Sequence, residues 1–448
     1  MLEARETAGG LASSCIDEQG FTWDRGGHVV FSHFGEFDRL LHEMLGDDLL
    51  WHERSSYVSV AGRFVPYPFQ NNLHRLPPED ALECILDLVS AQTSLRPQEA
   101  SNLADWMSAT FGEGIVRRFM RPYNEKVWAT PLHAMSAGWV SERVSVVDWR
   151  RALEALARRE DDPGWGPNSR FAFPRRGGTG EIFRRLAERV GAERIRFGGA
   201  VVSVDADRRE VLLGRGERVG YDWLVWTGPL DELVGAGRAP TSVGNALVQL
   251  KHTSVTVVGL GYEAPVSDDR SWLYFPDPAV PFYRLTNFAK YSPENVPGGN
   301  TDRYCSYMAE VSRPSAAPPP DTAALVARVD ACIRDLGLVP ARARVASTHV
   351  DDIAYAYPIP TTGRDGALAV IQPWLERNRI LARGRFGSWR YEEGNMDHAV
   401  KMGIDAARDI HGRAARTRAE CSPEPTPAAR PRVQELVARL EANADQGA

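Results

Sequence analysis

RGRFGSWRYEEGNMDH, residues 383–398, sets Arg383, Arg385 and Arg390 among Phe386, Trp389 and Tyr391, with glycines between them. An ordinary core segment would not carry three guanidinium groups. The glycines let backbone come close to something bulky, and the arginines make that partner anionic. From Met396 to Ile410 the pattern turns helical, with Ala399, Met402 and Ala406 on one side. Asn395 or Asp397 then stands at the N-cap, so free backbone N–H groups face the glycine-rich turn and would stabilise an anion or an electron-rich ring edge. The bland alternative is a packed turn ahead of a surface helix.

At 448 residues the chain has room for two or three domains. Its 43% hydrophobic and 25% charged residues are those of a soluble globular protein. A net charge of −6, spread along the chain, argues against nucleic acid as a partner. Cys15, Cys84, Cys305, Cys332 and Cys421 form no CxxC pair, which favours reduced thiols in the cytoplasm over a disulfide frame and leaves no metal site to propose. No apolar run is long enough to span a bilayer, and no signal-peptide pattern opens the chain.

Met1–Arg5 reads as the end of a strand, with Glu3 where a carboxylate accepts hydrogen bonds from a ribose in a Rossmann domain. The GxGxxG turn that should precede it is missing, so either the start lies further upstream or that unit has been lost. VTVVGLGYEAP (255–265) offers a GxG, but turn sequence follows instead of a helix, so it reads as an antiparallel strand. In GGHVVFSH (26–33) the histidines are five apart, which suits neither a helical nor a strand metal pair, and the glycines fit backbone lying against a flat ligand. Residues 51–70 read as a hairpin turning at Gly62-Arg63. Residues 78–160 read as four helices, the second opened by Pro97 and the third led in by Phe111-Gly112. The glycine-rich turn at 173–180 lacks a GK[ST] ending and reads as a structural helix start. Residues 413–429 read as a disordered linker and 430–443 as one exposed helix.

Nine stretches, in order, resemble the eukaryotic-type branch of the UDP-galactopyranose mutase family. They are GGLAS (9–13), GGHVVFSH (26–33), VPYPFQNN (65–72), MRPYNEKVWATP (120–131), GWVSERV (138–144), WGPNSRFAFPRRGGTG (165–180), WLYFPDPAVPFYRLTNFAKYS (272–292), YAYPIPTT (355–362) and the opening stretch. The resemblance spans about residues 3–410 and implies an α/β fold in which three parts interleave. A Rossmann-like FAD-binding domain, its first βα unit missing, takes 1–38, 173–240 and 370–412. A helical domain takes 78–165, and an antiparallel sheet domain for substrate takes 48–72 and 243–368; 413–448 would be linker and terminal helix.

The reaction implied is interconversion of UDP-galactopyranose and UDP-galactofuranose. The flavin must be reduced, by NAD(P)H or another reductant, and its N5 forms a covalent adduct with the sugar as UDP leaves. Two phosphates need guanidinium forks and phenol donors, and Arg143, Arg284, Tyr274, Tyr357 and Tyr391 match those positions. Tyr67, Gln70, Phe119, Asn124 and Trp128 match the nucleotide site, while Asn168, Trp272 and Asn395 match positions near the sugar. Glu3, Gly9, Gly10, Gly27, His28, His33, Arg385, Asn395 and Met396 match the flavin contacts. His28, Arg143 and Arg284 are the expected catalytic residues. Arg143 and Arg284 could equally be plain salt-bridge residues, and Phe119 and Trp128 plain core. Three alternatives stand beside this one: a mutase for another NDP-sugar, a nucleotide-sugar binder that has lost FAD, and an amine-oxidase-like flavoenzyme. The last needs no diphosphate clamp. Oligomeric state stays open, since the family varies on it.

Overall fold

The computed structural model describes residues 1–94, 100–140, 143–164, 166–235 and 239–421. Its architecture starts from the strand Lys251–Glu263, which is buried from Thr253 to Tyr262 and so is covered on both faces. That strand lies between Tyr304–Pro314 and Arg344–Ile359, antiparallel to both. The sheet has seven strands and continues through Arg284–Asn287, Trp272–Tyr274, Ser56–Val60 and Arg63–Pro66. One pairing in it, Trp272–Tyr274 with Ser56–Val60, is parallel.

Period-two alternation sorts the central strand's side chains. Val258, Leu260 and Tyr262 pack on the helix Thr322–Asp335 through Leu325, Val329 and Ile333. Val255 and Val257 turn to the other face, where Phe21 and Trp23 lie. A Cβ added at Gly259 would come within 2.6 Å of the Trp23 ring, and one at Gly261 within 2.6 Å of the Phe21 ring. The GxG of this strand therefore admits two aromatic rings and cradles no phosphate. The hairpin at the far edge of the sheet pairs Val60 with Arg63, so its turn is Ala61-Gly62, both at positive φ, one residue earlier than the sequence predicts.

The helical part comprises Pro78–Thr93, Leu103–Ile115, a π-turn at Val116–Met120, Arg121–Trp128 and Trp149–Arg158. Asn102 and Asp148 cap two of these helices through side-chain oxygens. Gly112 breaks the long helical run at φ 72, and a Cβ there would lie 2.4 Å from the Asp87 carbonyl of the neighbouring helix. This is the break that Phe111-Gly112 signals, although the helical run goes on to Trp128. The expected opening of the second helix at Pro97 lies outside the described residues.

Parallel pairing, the mark of the Rossmann-like part, joins Leu224–Trp226 to Ile380–Ala382 and Leu2 to Arg196. An antiparallel three-stranded sheet (Val201–Asp205, Glu210–Leu213, Arg218–Gly220) and the helix Arg364–Arg377 enclose its core, in which Leu368, Ile371 and Trp374 meet Phe386 and Trp389. The fold is α/β, as expected. The glycine-rich turn at 177–178 leads into the helix Gly180–Val190, whose Ile182 packs against Phe37 and Leu41 of Gly35–Leu45. Residues up to Gly403 form one compact unit. The last described helix, Met396–Cys421, starts where the sequence predicts and passes residue 412; the expected helix at 430–443 lies outside the described residues. No described helix is long and apolar enough to cross a membrane.

The close approach at Gly261 makes a direct prediction. Gly261→Ala overpacks the Phe21 contact and should cost about 1–3 kcal/mol, seen as a lowered melting temperature. Gly244→Ala, on a helix where an added Cβ meets nothing within 4 Å, is the control and should not melt earlier.

Candidate functional site

A cavity opens where the N-terminal loop crosses the sheet, lined by Leu11, Arg25, Gly26, His28, Val255, Arg284, Glu310, Ile353, Ala356, Tyr357 and Arg385. Three of these carry guanidinium groups and one a carboxylate. That carboxylate, Glu310, is 1% exposed. It accepts from Arg284 through Nε and Nη2, each at 2.8 Å, from the Tyr283 hydroxyl, and from the Gly27 N–H at 2.9 Å. Burial alone would raise the Glu310 pKa; Arg284, Tyr283 and the Gly27 N–H outweigh it and hold the carboxylate below its ordinary range. Burial likewise works against the Arg284 charge, and Glu310 more than restores it.

Arg143 and Arg385 meet a wall of aromatic rings. Arg143 donates to Asn395 Oδ1 at 3.0 Å and to the Glu392 carbonyl at 2.6 Å, with its guanidinium over the Tyr391 ring at 5.4 Å. The Glu392 carboxylate is held in turn by buried Arg364, at 2.9 and 3.0 Å. Arg385 donates to the Gly394 carbonyl at 3.0 Å and lies 5.5 Å over Tyr357. Tyr391 meets Tyr357 at 5.6 Å and Trp128 at 4.9 Å, both edge-on. Burial lowers the Arg385 pKa, and the nearby positive charge of Arg143 lowers it further. Two guanidinium groups lying over neighbouring phenol rings in one part-buried wall form a setting that an anion would stabilise.

The loop from Gly26 to His33 is fastened at both ends. Gly27 lies so close to the sheet that a Cβ would fall 2.3 Å from Thr286 Oγ1. At the far end, Asp397 is fully buried and accepts from His33 Nδ1 at 2.7 Å, from the His33 N–H at 3.1 Å and from His398 Nδ1 at 3.1 Å. These bonds overcome the burial that would raise it and hold the Asp397 pKa at about 2. One donor atom from each of the three side chains lies within 4.8 Å of the others, but both carboxylate oxygens are already engaged, so the cluster acts as a latch between loop and helix. His28, enclosed with part of its ring facing the cavity, has its pKa lowered to about 4, first by burial and then by Arg385, so it is neutral near pH 7.

A planar, partly polar cofactor fits these residues. Leu11, Val255, Ile353 and Ala356 offer apolar faces, while His28 Nδ1 and Asn395 Nδ2 are buried with no partner inside the protein. Gly9 and Gly10 turn the chain at φ 108 and 56 just ahead of Leu11.

The other residues named from the sequence fall into groups. Tyr67 meets Tyr274 at 5.4 Å, and Arg54, over Tyr67 at 5.2 Å, also donates to Asn168 Oδ1 at 2.8 Å. Trp272, 4% exposed, stands T-shaped to Tyr274. Phe119 and Trp128 are 3% and 2% exposed and belong to the helical core, with Phe119 stacked on Tyr123. Buried Gln70 donates to the Ser145 carbonyl and leaves its own carbonyl unpaired, while Asn124 bonds back to the Met120 carbonyl at 2.8 Å. Met396 packs beside Phe37 and Leu41. Glu3 stands apart from the cavity lining: its N–H donates to the Arg196 carbonyl, and its carboxylate accepts from the Arg5 N–H. Sequence reasoning missed Glu310, Tyr283, Arg364 and Glu392, and named Asp397 only as a candidate helix cap. Glu310 had a signal, a single acid between Ala309 and Val311 in an apolar strand. Tyr283 and Arg364 had none.

The fold that brings together these parallel strands, the aromatic-walled cavity and the glycine-turned N-terminal loop is shared with flavin-containing amine oxidoreductases. The sequence pattern of the flavin containing amine oxidoreductase family matches residues 1–411, and the chain belongs to that family. Within it the chain joins the UDP-galactopyranose mutases: it is 39% identical to one whose reduced form has been solved, at a TM-score of 0.87, over 92% of this chain and 89% of that one. Cyclohexylamine oxidase from Brevibacterium oxydans is 18% identical (TM-score 0.62, 92% and 93% covered) and shares the fold. A putrescine oxidase solved with putrescine is 17% identical (TM-score 0.58, 92% and 93% covered) and shares it too.

The lowered His28 pKa has a readable consequence. The unfolded chain, with His28 near 6.5, binds the proton more tightly than the folded one near 4, so His28 withdraws stability as pH falls from about 6.5 to about 4. His28→Asn does not titrate. Thermal melts at pH 7 and pH 5 should therefore show wild type losing ground relative to His28→Asn at the lower pH.

Proposed function

We propose that this protein is an FAD-dependent isomerase that interconverts UDP-galactopyranose and UDP-galactofuranose. Membership of a flavin-containing family makes FAD the cofactor, and the 39% identical mutase supports an isomerase-type enzyme. The observation that carries the substrate class is geometric: Arg143 lies over Tyr391 and Arg385 over Tyr357, while Arg284 lines the same cavity as Arg385 and Tyr357. A diphosphate supplies the negative charge that this wall lacks. Amine oxidation has no use for it.

In this reading Arg143 and Arg284 bind the diphosphate and stabilise the charge that grows on it as the anomeric C–O bond breaks. Burial pushes the Tyr274 and Tyr357 pKa values up, so these phenols stay protonated and donate, with Tyr391 beside them. Tyr67, Gln70, Phe119, Asn124 and Trp128 hold the nucleotide; Asn168, Trp272 and Asn395 hold the sugar. Gly27, His28, His33, Arg385, Asn395 and Met396 hold the flavin ring system, with Glu3, Gly9 and Gly10 toward its nucleotide half. Neutral His28 can exchange hydrogen bonds there without adding charge. FAD, when reduced, supplies the nucleophile for the anomeric carbon, and NAD(P)H or a similar donor supplies its electrons. Free thiols at Cys15, Cys84, Cys305 and Cys332 suit a cytoplasmic setting.

The test is an anaerobic assay of flavin-loaded protein with UDP-galactopyranose, its product separated by chromatography. Conversion with reduced and none with oxidised flavin is expected; no conversion with reduced flavin would sink the proposal. Arg143→Ala and Arg284→Ala each remove charge-assisted hydrogen bonds of about 1.5–3 kcal/mol and should weaken UDP binding by roughly 10- to 100-fold. Unchanged UDP affinity in both variants would mean the clamp is misassigned.

A further inference from the structure

We infer that Glu310 is a positioning residue that couples the Arg284 clamp to the loop carrying His28, an inference that rests on reading Arg284 as a diphosphate ligand. Nothing in the chemistry above asks for a carboxylate among these arginines. A group needed only to balance charge would have no reason to touch the loop's backbone. Glu310 does touch it. Its Oε1 is shared between the Gly27 N–H at 2.9 Å and Arg284 Nε at 2.8 Å, and its Oε2 between Arg284 Nη2 at 2.8 Å and the Tyr283 hydroxyl. Four donors use the capacity of an ionised carboxylate, so none can change its hold without affecting the others.

The geometry leaves the loop little slack. A Cβ at Gly27 would lie 3.2 Å from Glu310 Oε1 as well as 2.3 Å from Thr286 Oγ1, so the backbone lies flush on the sheet beside His28. An anion that draws on the Arg284 guanidinium weakens its pairing with Glu310. Oε1 is then left freer for the Gly27 N–H, and the loop tightens. By linkage the converse holds: a change at the loop alters anion affinity at Arg284 by the same factor. Glu310→Gln keeps the shape but has a single oxygen, so its NH2 faces an Arg284 donor in either orientation, and the Gly27 N–H is left with a donor opposite it or with an uncharged acceptor.

The experiment uses the full-length, flavin-loaded protein. Hydrogen exchange is followed in a peptide covering residues 24–34 for wild type, Glu310→Gln and Arg284→Ala, together with the change that UDP causes in the flavin's visible spectrum. Loss of a hydrogen bond to a charged acceptor should speed exchange in that peptide roughly 10- to 100-fold in Glu310→Gln. Arg284→Ala should slow it, and Glu310→Gln should lose the UDP-induced spectral change while retaining flavin. Exchange at wild-type rates in both variants overturns the coupling. If Glu310→Gln does not fold, Arg284→Ala decides alone, since it leaves Glu310 in place. A wild-type protein that ignores UDP defeats the substrate proposal instead, and the exchange comparison still decides the coupling.

Discussion

Two aromatic rings resting on two glycines hold this molecule's parts together. Phe21 and Trp23 reach the central sheet only because Gly259 and Gly261 present no side chain to them. From that contact the chain runs directly through Asp24 and Arg25 into the loop at Gly26–His33, so the seating of two rings fixes where His28 and Gly27 stand relative to Arg284 and Glu310. A side chain at either glycine would lift the N-terminal strands from the sheet, and the cavity would lose one wall.

In the cavity and in the aromatic wall beside Arg143, the arginines are placed by charge pairing. Glu310 and Glu392 each gather more than one partner: Glu310 takes Arg284, Tyr283 and a loop amide, while Glu392 takes Arg364 with its carboxylate and Arg143 with its carbonyl. Buried ion pairs of this kind add little net stability, because desolvation offsets most of the attraction. Their effect is on position. Arg143 and Arg284 are held from behind, which fixes their remaining donors before any ligand arrives.

Much of this was legible in the sequence. The stretch at 255–265 read as an antiparallel strand and not as a phosphate loop, the turn residues marked the hairpin to within one position, and Phe111-Gly112 marked the boundary between two helical stretches. Arginines among aromatics at 383–398 pointed to an anionic site, and nine ordered motifs pointed to a family. What escaped was whatever depends on contacts distant in sequence. Glu310 becomes meaningful only once its strand pairs with Arg284–Asn287, in a register that sets Arg284 opposite Glu310. Arg364, which no sequence pattern singles out, is 2% exposed and buried against Glu392, twenty-eight positions further on. The glycines at 259 and 261 were legible as part of an antiparallel strand, but not their reason for being glycine, because the rings they admit, Phe21 and Trp23, lie more than two hundred positions earlier.

That separation also sets an order of events during synthesis. Phe21 and Trp23 leave the ribosome long before the strand they rest on, and that strand pairs in turn with Tyr304–Pro314 and Arg344–Ile359. The N-terminal strands therefore stay without their main apolar surface while most of the chain is made. Such long-range pairing folds slowly and leaves apolar segments open to wrong partners in the interval. The helices Pro78–Thr93 and Leu103–Ile115 pack on each other over a short separation in sequence, and so do not wait for those strands as the N-terminal rings must.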